Sequence, residues 1–326
     1  MARSPKQPDA PDGPLDPLVE EAINFLLHLH SGKETEEDWA AYQNWKDGSA
    51  ERRAAADYAE SIWHGIGPAA ARKKPKKTIP VIVIGVLGLT TFGFALGLFG
   101  EPRSYFADYQ TAIGERKIVT LRDGSQVDID SGTSFDIGAD GRTIFLYAGQ
   151  VFLSVESSPS RPFSVNAASG TVRTLGTKFG VRRDAGTVTT FVTENAVRVS
   201  YTGDPQKTVD VQAGQVTHYS PDGGLQPARS ADIRELTAWQ RGELRFKDQT
   251  LSKVVSELER YRRGRILLIG DDVRNLRVSG VFDIQDPVGA LASLSLALPI
   301  SVHNFPGLTV IYGVSERQSR EQPEKK

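Results

Sequence analysis

No cysteine occurs among the 326 residues, and there is a single methionine. That excludes disulfides, thiolate metal sites and a cysteine nucleophile. An excess of charge of one sign is also missing. Lys and Arg number 39 against 40 Asp and Glu, a net charge of −1, so the whole chain carries no field that would draw nucleic acid. No Gly-rich phosphate loop precedes a helix, and neither a GxSxG elbow nor an HExxH pair is present. The five histidines are scattered, without carboxylates at ligand spacing. A turnover enzyme is therefore not expected, a membrane-bound hydrolase included, and no cofactor or metal is implied. What is present, 39% hydrophobic and 24% charged residues, is the composition of a folded chain with room for two or three domains.

Residues 79–100 form one uncharged run, long enough as a helix to cross roughly 30 Å of hydrocarbon. Arg72, Lys73, Lys74, Lys76 and Lys77 precede it, which predicts a single-pass inner-membrane protein with its N-terminus cytoplasmic and its C-terminus periplasmic. Gly93 and Gly97 make a GxxxG pair, a dimerisation motif or simply common span glycines.

Before the span, residues 1–17 read as disordered and 18–68 as a small helical domain, joined to the span by a basic linker, 69–78. Val19, Ile23, Leu26 and Leu27 share one helical face, with Gly32 as a C-cap. Thr35 and Asp38 read as a shortened capping box. Trp39, Tyr42 and Trp45 fall near one face of the second helix, and Ala55, Tyr58, Ile62 and Trp63 lie on a third. These aromatics either fill the core or grip a partner. Between residues 20 and 60 ten acidic residues stand against four basic ones, a net charge of −6. That is a solvated face or one suited to a basic protein surface.

From 109 to 228 the period changes to two, with Asp-Gly and Ala-Gly turns, and an all-β domain is expected: a sandwich, jelly roll or β-helical wrap. Within it, 118–121 and 127–129 read as a hairpin, and 143–147 with 151–155 as a second one around Ala148-Gly149. Asp128 and Asp130, on one strand face, read as strand-edge solubility or a carboxylate pair. Residues 237–313 alternate strand and helix as a small α+β unit of two β-α-β halves, and 314–326 read as a disordered tail. Leu175-Gly176-Thr177 lies between two strands. A Thr hydroxyl in a tight turn can attack its own preceding carbonyl, an N→O acyl shift, although any Gly-Thr has these atoms.

Several motifs together resemble the FecR family of transmembrane anti-sigma factors, which act in TonB-dependent cell-surface signalling. In the helical part the resemblance rests on Leu29-His-Ser-Gly32, Trp45, Arg53 and Trp63. In the β part it rests on Val119-Thr-Leu-Arg-Asp-Gly-Ser125, Leu146-Tyr-Ala-Gly-Gln-Val-Phe152, Arg161-Pro-Phe163 and Leu175-Gly-Thr-Lys-Phe179. Residues 237–313 resemble the short N-terminal domain of secretins and TonB-dependent transducers, through Phe246, Leu251, Leu258, Val278-Ser-Gly280 and Ala290-Leu291. The resemblance implies a cytoplasmic domain that holds an extracytoplasmic-function sigma factor through Trp39, Trp45, Arg53 and Trp63. It implies a periplasmic part that receives the signalling domain of a TonB-dependent outer-membrane siderophore receptor, and a relay completed by periplasmic and intramembrane proteases without direct contact to nucleic acid. It also implies self-cleavage at Gly176-Thr177, with Gly180 standing where the family often has Asn. The competing expectation is an inner-membrane scaffold of a secretion or pilus machine that touches a secretin through its last domain.

Overall fold

The computed structural model of the chain describes residues 16–29, 34–65, 102–184, 186–305 and 307–314. The expected linker 69–78, the expected span 79–100 and all but the first residue of the expected tail lie outside the described residues, as do residues 1–15 and Gly32. Among the described residues no helix is long and apolar enough to cross a membrane. The longest, Ala50–Gly65, has 16 residues, short of the ~20 apolar residues that a span takes. The single-pass inner-membrane placement, cytoplasmic N-terminus and periplasmic C-terminus, is therefore corrected. It rested on the hydropathy of residues 79–100 and on the basic residues that precede them.

Three helices form the N-terminal unit. Pro17 opens α1 (Pro17–Leu29), where its missing N–H costs nothing. Thr35 caps α2 (Glu36–Asp47): its Oγ1 accepts from the Asp38 N–H at 3.3 Å, and the Asp38 carboxylate accepts from the Thr35 N–H at 2.8 Å. This is the capping box read from the sequence. The third helix, α3, is Ala50–Gly65. Val19, Ala22, Leu26 and Leu29 meet Tyr42 and Trp45 over Ala55, Ala56 and Ala59, whose small side chains let α1 and α3 approach closely.

The β domain holds β1 (Tyr109–Gln110), β2 (Lys117–Thr120), β3 (Gln126–Ile129), β4 (Ser134–Ile137), β5 (Thr143–Ser154), β6 (Phe163–Ala167) and β7 (Gly170–Thr174). It continues with β8 (Lys178–Asp184), β9 (Thr187–Glu194), β10 (Ala196–Tyr201), β11 (Thr208–Gln212), β12 (Gln215–Ser220), β13 (Gly224–Leu225) and β14 (Arg229–Ser230). All are joined by hydrogen bonds, and β5 is where one layer becomes the other. Its first half pairs with β4 and, in parallel, with β6. Its second half pairs with β3 and β8. One layer then runs β1-β4-β5-β6-β7-β10-β11, the other β2-β3-β5-β8-β9-β12, with β13 and β14 on β12. Phe135, Ile144, Val165, Val172 and Val199 of the first layer pack against Val127, Leu153, Val181, Val192 and Tyr219 of the second. The Tyr219 hydroxyl reaches across to donate to the Ala167 carbonyl at 2.7 Å.

The strand β5 is one continuous element of 12 residues, where a hairpin around Ala148-Gly149 was expected. Gly149 has φ +84°, and a Cβ there would lie 2.5 Å from the Thr133 Cα. The glycine bends the strand around Thr133 instead of reversing it.

The C-terminal unit contains β15 (Glu243–Thr250) paired with β17 (Arg277–Asp283), and a second sheet β16-β19-β18 from Arg265–Ile269, Leu308–Gly313 and Ile300–Phe305. Helices Leu251–Glu259 and Pro287–Ala297 cover them. Their caps are Thr250, whose side chain accepts from the Lys253 N–H, and Asp286, which accepts from the Gly289 N–H at 2.8 Å. The core of this unit is not its own. Leu251, Val254, Leu258, Leu291 and Ile311 form one apolar cluster with Phe152, Phe191 and Val216 of the β domain. Polar contacts seal the same junction. Asp130, wholly buried, accepts from Arg260 at 2.8 Å and from the Tyr261 hydroxyl at 2.9 Å, and Arg182 reaches Glu257 at 2.7 Å. The expected multi-domain fold is thus corrected beyond its membrane helix as well. A free-standing secretin- or TonB-like short N-terminal domain is not retained, because this unit completes its core on β5, β9 and β12. Nor does Asp130 serve strand-edge solubility.

Candidate functional site

The chain leaves β7 in one layer and enters β8 in the other through Leu175-Gly176-Thr177. Three successive carbonyls of this crossing are each held. The Leu175 oxygen accepts from the Ser158 N–H at 2.8 Å, and the Thr177 oxygen from the Val155 N–H at 3.0 Å. The Gly176 oxygen accepts from a side chain, Asn195 Nδ2, at 3.0 Å. Gly176 is required by contact: an added Cβ would stand 2.7 Å from the Ser157 Cα. The Thr177 side chain is buried, whereas Leu175 is 53% exposed and Gly176 is partly exposed. Thr177 Oγ1 touches Thr174 Oγ1 and donates to the Ala196 carbonyl at 3.2 Å, while Thr174 Oγ1 accepts from the Gly176 N–H at 3.2 Å. The Gly176-Thr177 peptide, the Thr177 hydroxyl and a donor on the Gly176 carbonyl oxygen are thus brought together from two loops. Among the described residues no carboxylate or imidazole is bonded to Thr177; its hydroxyl meets the neutral oxygens of Thr174 and Ala196.

Of the expected helical contact residues, Trp39, Trp45 and Arg53 differ in exposure. Trp45 is 8% exposed and packs on Phe25 and Tyr42 at ring distances of 5.5 and 6.3 Å. Its buried Nε1 finds no partner among the described residues, and Arg52, not Arg53, lies over its ring, 5.7 Å away. Trp39 is 41% exposed. Arg53 is at the surface and pairs with Asp47 at 3.0 Å. The backbone of Trp63 belongs to α3, but its side chain lies outside the described residues. Lys46 bonds Asp57 and Glu60, and the Tyr42 hydroxyl donates to Glu60 at 2.8 Å. Burial, with Glu60 beside it, pushes the Tyr42 phenol up.

Residues 107–198 match the family model described as FecR protein, spanning the chain from just before β1 into β10. A FecR domain therefore occupies this part of the chain. A second model, a domain of unknown function called DUF4880, matches residues 20–62 and so falls on the helical unit. Two crystal structures of a candidate anti-sigma factor from Parabacteroides distasonis, at 1.65 and 2.50 Å, share the fold. Both align at 23% identity with a TM-score of 0.55 over 64% of this chain, and over 99% and 98% of theirs. No curated protein matches the chain significantly.

The FecR domain explains several motif residues by packing. Asp123 accepts from the Ser125 N–H at 3.0 Å and pairs with Arg142, which is buried, while the Arg142 guanidinium lies 5.5 Å above the Phe163 ring. The Asp-Gly-Ser turn and the Arg-Pro-Phe element therefore meet through Arg142. Gly180 is held by Phe191, whose ring would be 2.2 Å from an added Cβ. Asn195 was missed by sequence reasoning. It stands 18 residues after Thr177 in the turn between β9 and β10, where φ is +61°, a conformation that Asn tolerates, and an Asn between two strand runs is too common a signal to mark it.

Proposed function

We propose that this protein, through its FecR domain and helical unit, regulates sigma factor signalling. Its helical unit holds an extracytoplasmic-function sigma factor, and its β domain with the attached C-terminal unit receives the signalling domain of a TonB-dependent siderophore receptor. The observation that carries this reading is one chain that joins a FecR domain to an acidic helical unit, with a fold shared by a candidate anti-sigma factor. The net charge of −6 over residues 20–60 suits a basic protein surface, and Trp39 presents part of its ring at the surface. Release of the partner proceeds through proteolysis, beginning with self-cleavage at Gly176-Thr177 and continued by separate proteases. The protein is then a regulator that cuts itself once, without turnover. The geometry at the crossing supports this step, because the hydroxyl of Thr177 and the held Gly176 carbonyl lie in one tight turn. Capture of the full-length chain from its native cells, with mass spectrometry of what it carries, tests the proposal. Recovery of a sigma factor is the expected result. A folded chain that repeatedly carries none refutes it.

A further inference from the structure

If the turn cleaves itself, the carbonyl oxygen of Gly176 must bear negative charge in the transition state, and something has to stabilise it there. Here the Asn195 amide is aimed at it from another loop, at 3.0 Å, a distance suited to an oxyanion donor. The Asn195 backbone is held in the left-handed region at φ +61°, and its own carbonyl accepts from the Ala213 N–H at 2.9 Å. The backbone that carries the amide is therefore fixed, and the amide itself is exposed apart from this bond. Ser158 and Val155 hold the carbonyls on either side, so the peptide cannot rotate its oxygen away.

We infer that Asn195 is a catalytic residue of the cleavage, the oxyanion donor for the Gly176 carbonyl; this rests on the self-cleavage reading above. Thr177 Oγ adds to the Gly176 carbonyl carbon, and the electron pair of the C=O bond moves onto the oxygen that Asn195 Nδ2 holds. The C–N bond then breaks. The hydroxyl proton ends on the Thr177 nitrogen, leaving an ester and a free amine. Water adds to the ester carbonyl and the C–Oγ bond breaks, giving a carboxylic acid at Gly176 and restoring the Thr177 hydroxyl. One peptide bond and one water become one acid and one amine. Partial exposure of Gly176, beside exposed Leu175, admits that water.

Removal of a single oxyanion donor slows acyl transfer by roughly 100-fold or more. The full-length chain, made by cell-free translation, is followed on a gel, and the smaller fragment is sequenced from its N-terminus. Wild type should yield a fragment beginning at Thr177, Thr177→Ser should still cleave, and Thr177→Ala should stay whole. Asn195→Gly keeps the left-handed turn without the amide, and Asn195→Asp keeps size and turn while replacing the donor by an acceptor. Both should cleave about 100-fold slower with unchanged thermal midpoints. Relative to Asn195→Gly at the same pH, Asn195→Asp should recover as the pH falls through the carboxyl range, because a protonated acid can again donate; loss of packing alone would give no such recovery. Wild-type cleavage in both Asn195 variants, with Thr177→Ala whole, overturns the role of Asn195 and leaves self-cleavage standing. A whole wild type, or a cleaved Thr177→Ala, overturns self-cleavage itself and the role of Asn195 with it.

Discussion

Replacing Arg260 by methionine tests whether the C-terminal unit and the β domain unfold together. The Arg260 guanidinium donates to Asp130 at 2.8 Å, to Gln150 at 3.2 Å and to Glu257 at 3.4 Å. Asp130 has 0% of its surface exposed, so the variant leaves its carboxylate buried with Tyr261 as its remaining side-chain donor. Breaking a buried pair from one side costs about 3–5 kcal/mol, because the abandoned charge keeps its desolvation penalty. At a urea slope of about 2 kcal/mol/M the unfolding midpoint should fall by about 2 M. Loss of the clamp should also split one transition into two, the C-terminal unit leaving first. Asp130→Asn in the same chain removes the stranded charge but keeps an acceptor for Tyr261, and the pair of changes should recover about half of the loss. A loss below about 1 kcal/mol for Arg260→Met, or no recovery in the double variant, would refute the reasoning.

Trp45→Ala should cost about 3–5 kcal/mol, enough to unfold so small a bundle, whereas Trp39→Ala should leave its circular dichroism intact and weaken sigma factor capture; the reverse pattern would place the contact in the core. Burial works to raise the Glu257 carboxyl, but Arg182, Arg260 and Lys253 outweigh it and hold it down to about 2. Its contribution, on the order of 3 kcal/mol, is therefore present above the ordinary carboxylate range and lost as the pH falls from about 4.5 towards 2. Urea midpoints across that range should drop in wild type and flatten in Glu257→Gln. Gly149→Ala should cost about 2 kcal/mol or more, since the residue must hold a positive φ against Thr133, and a wild-type melting temperature would rule out the bend assigned to β5.

Much of the local structure was legible because local chemistry sets it. The Thr35–Asp38 capping box depends on residues three apart, and it is present. The hairpin of β2 and β3 around Asp123-Gly124 is present for the same reason. The Ala148-Gly149 turn failed because a glycine of positive φ serves equally in a reversal and in a bend, and Thr133, 16 positions away, decides between them. The aromatics of α2 divided between core and surface by packing against α1, which α2's own periodicity does not contain.

By itself the sequence determined that strands fill the middle of the chain, that helices precede them, that cysteine chemistry is excluded, and that Gly176-Thr177 falls between two strands. These follow from side-chain period, turn preference and residue inventory. Only the tertiary structure decided that β5 belongs to two layers, that Asp130 is a buried partner of Arg260, and that Asn195 meets the Gly176 carbonyl. Each of these joins residues from 16 to 130 positions apart, and such a contact exists only after the layers have closed and water has been excluded between them.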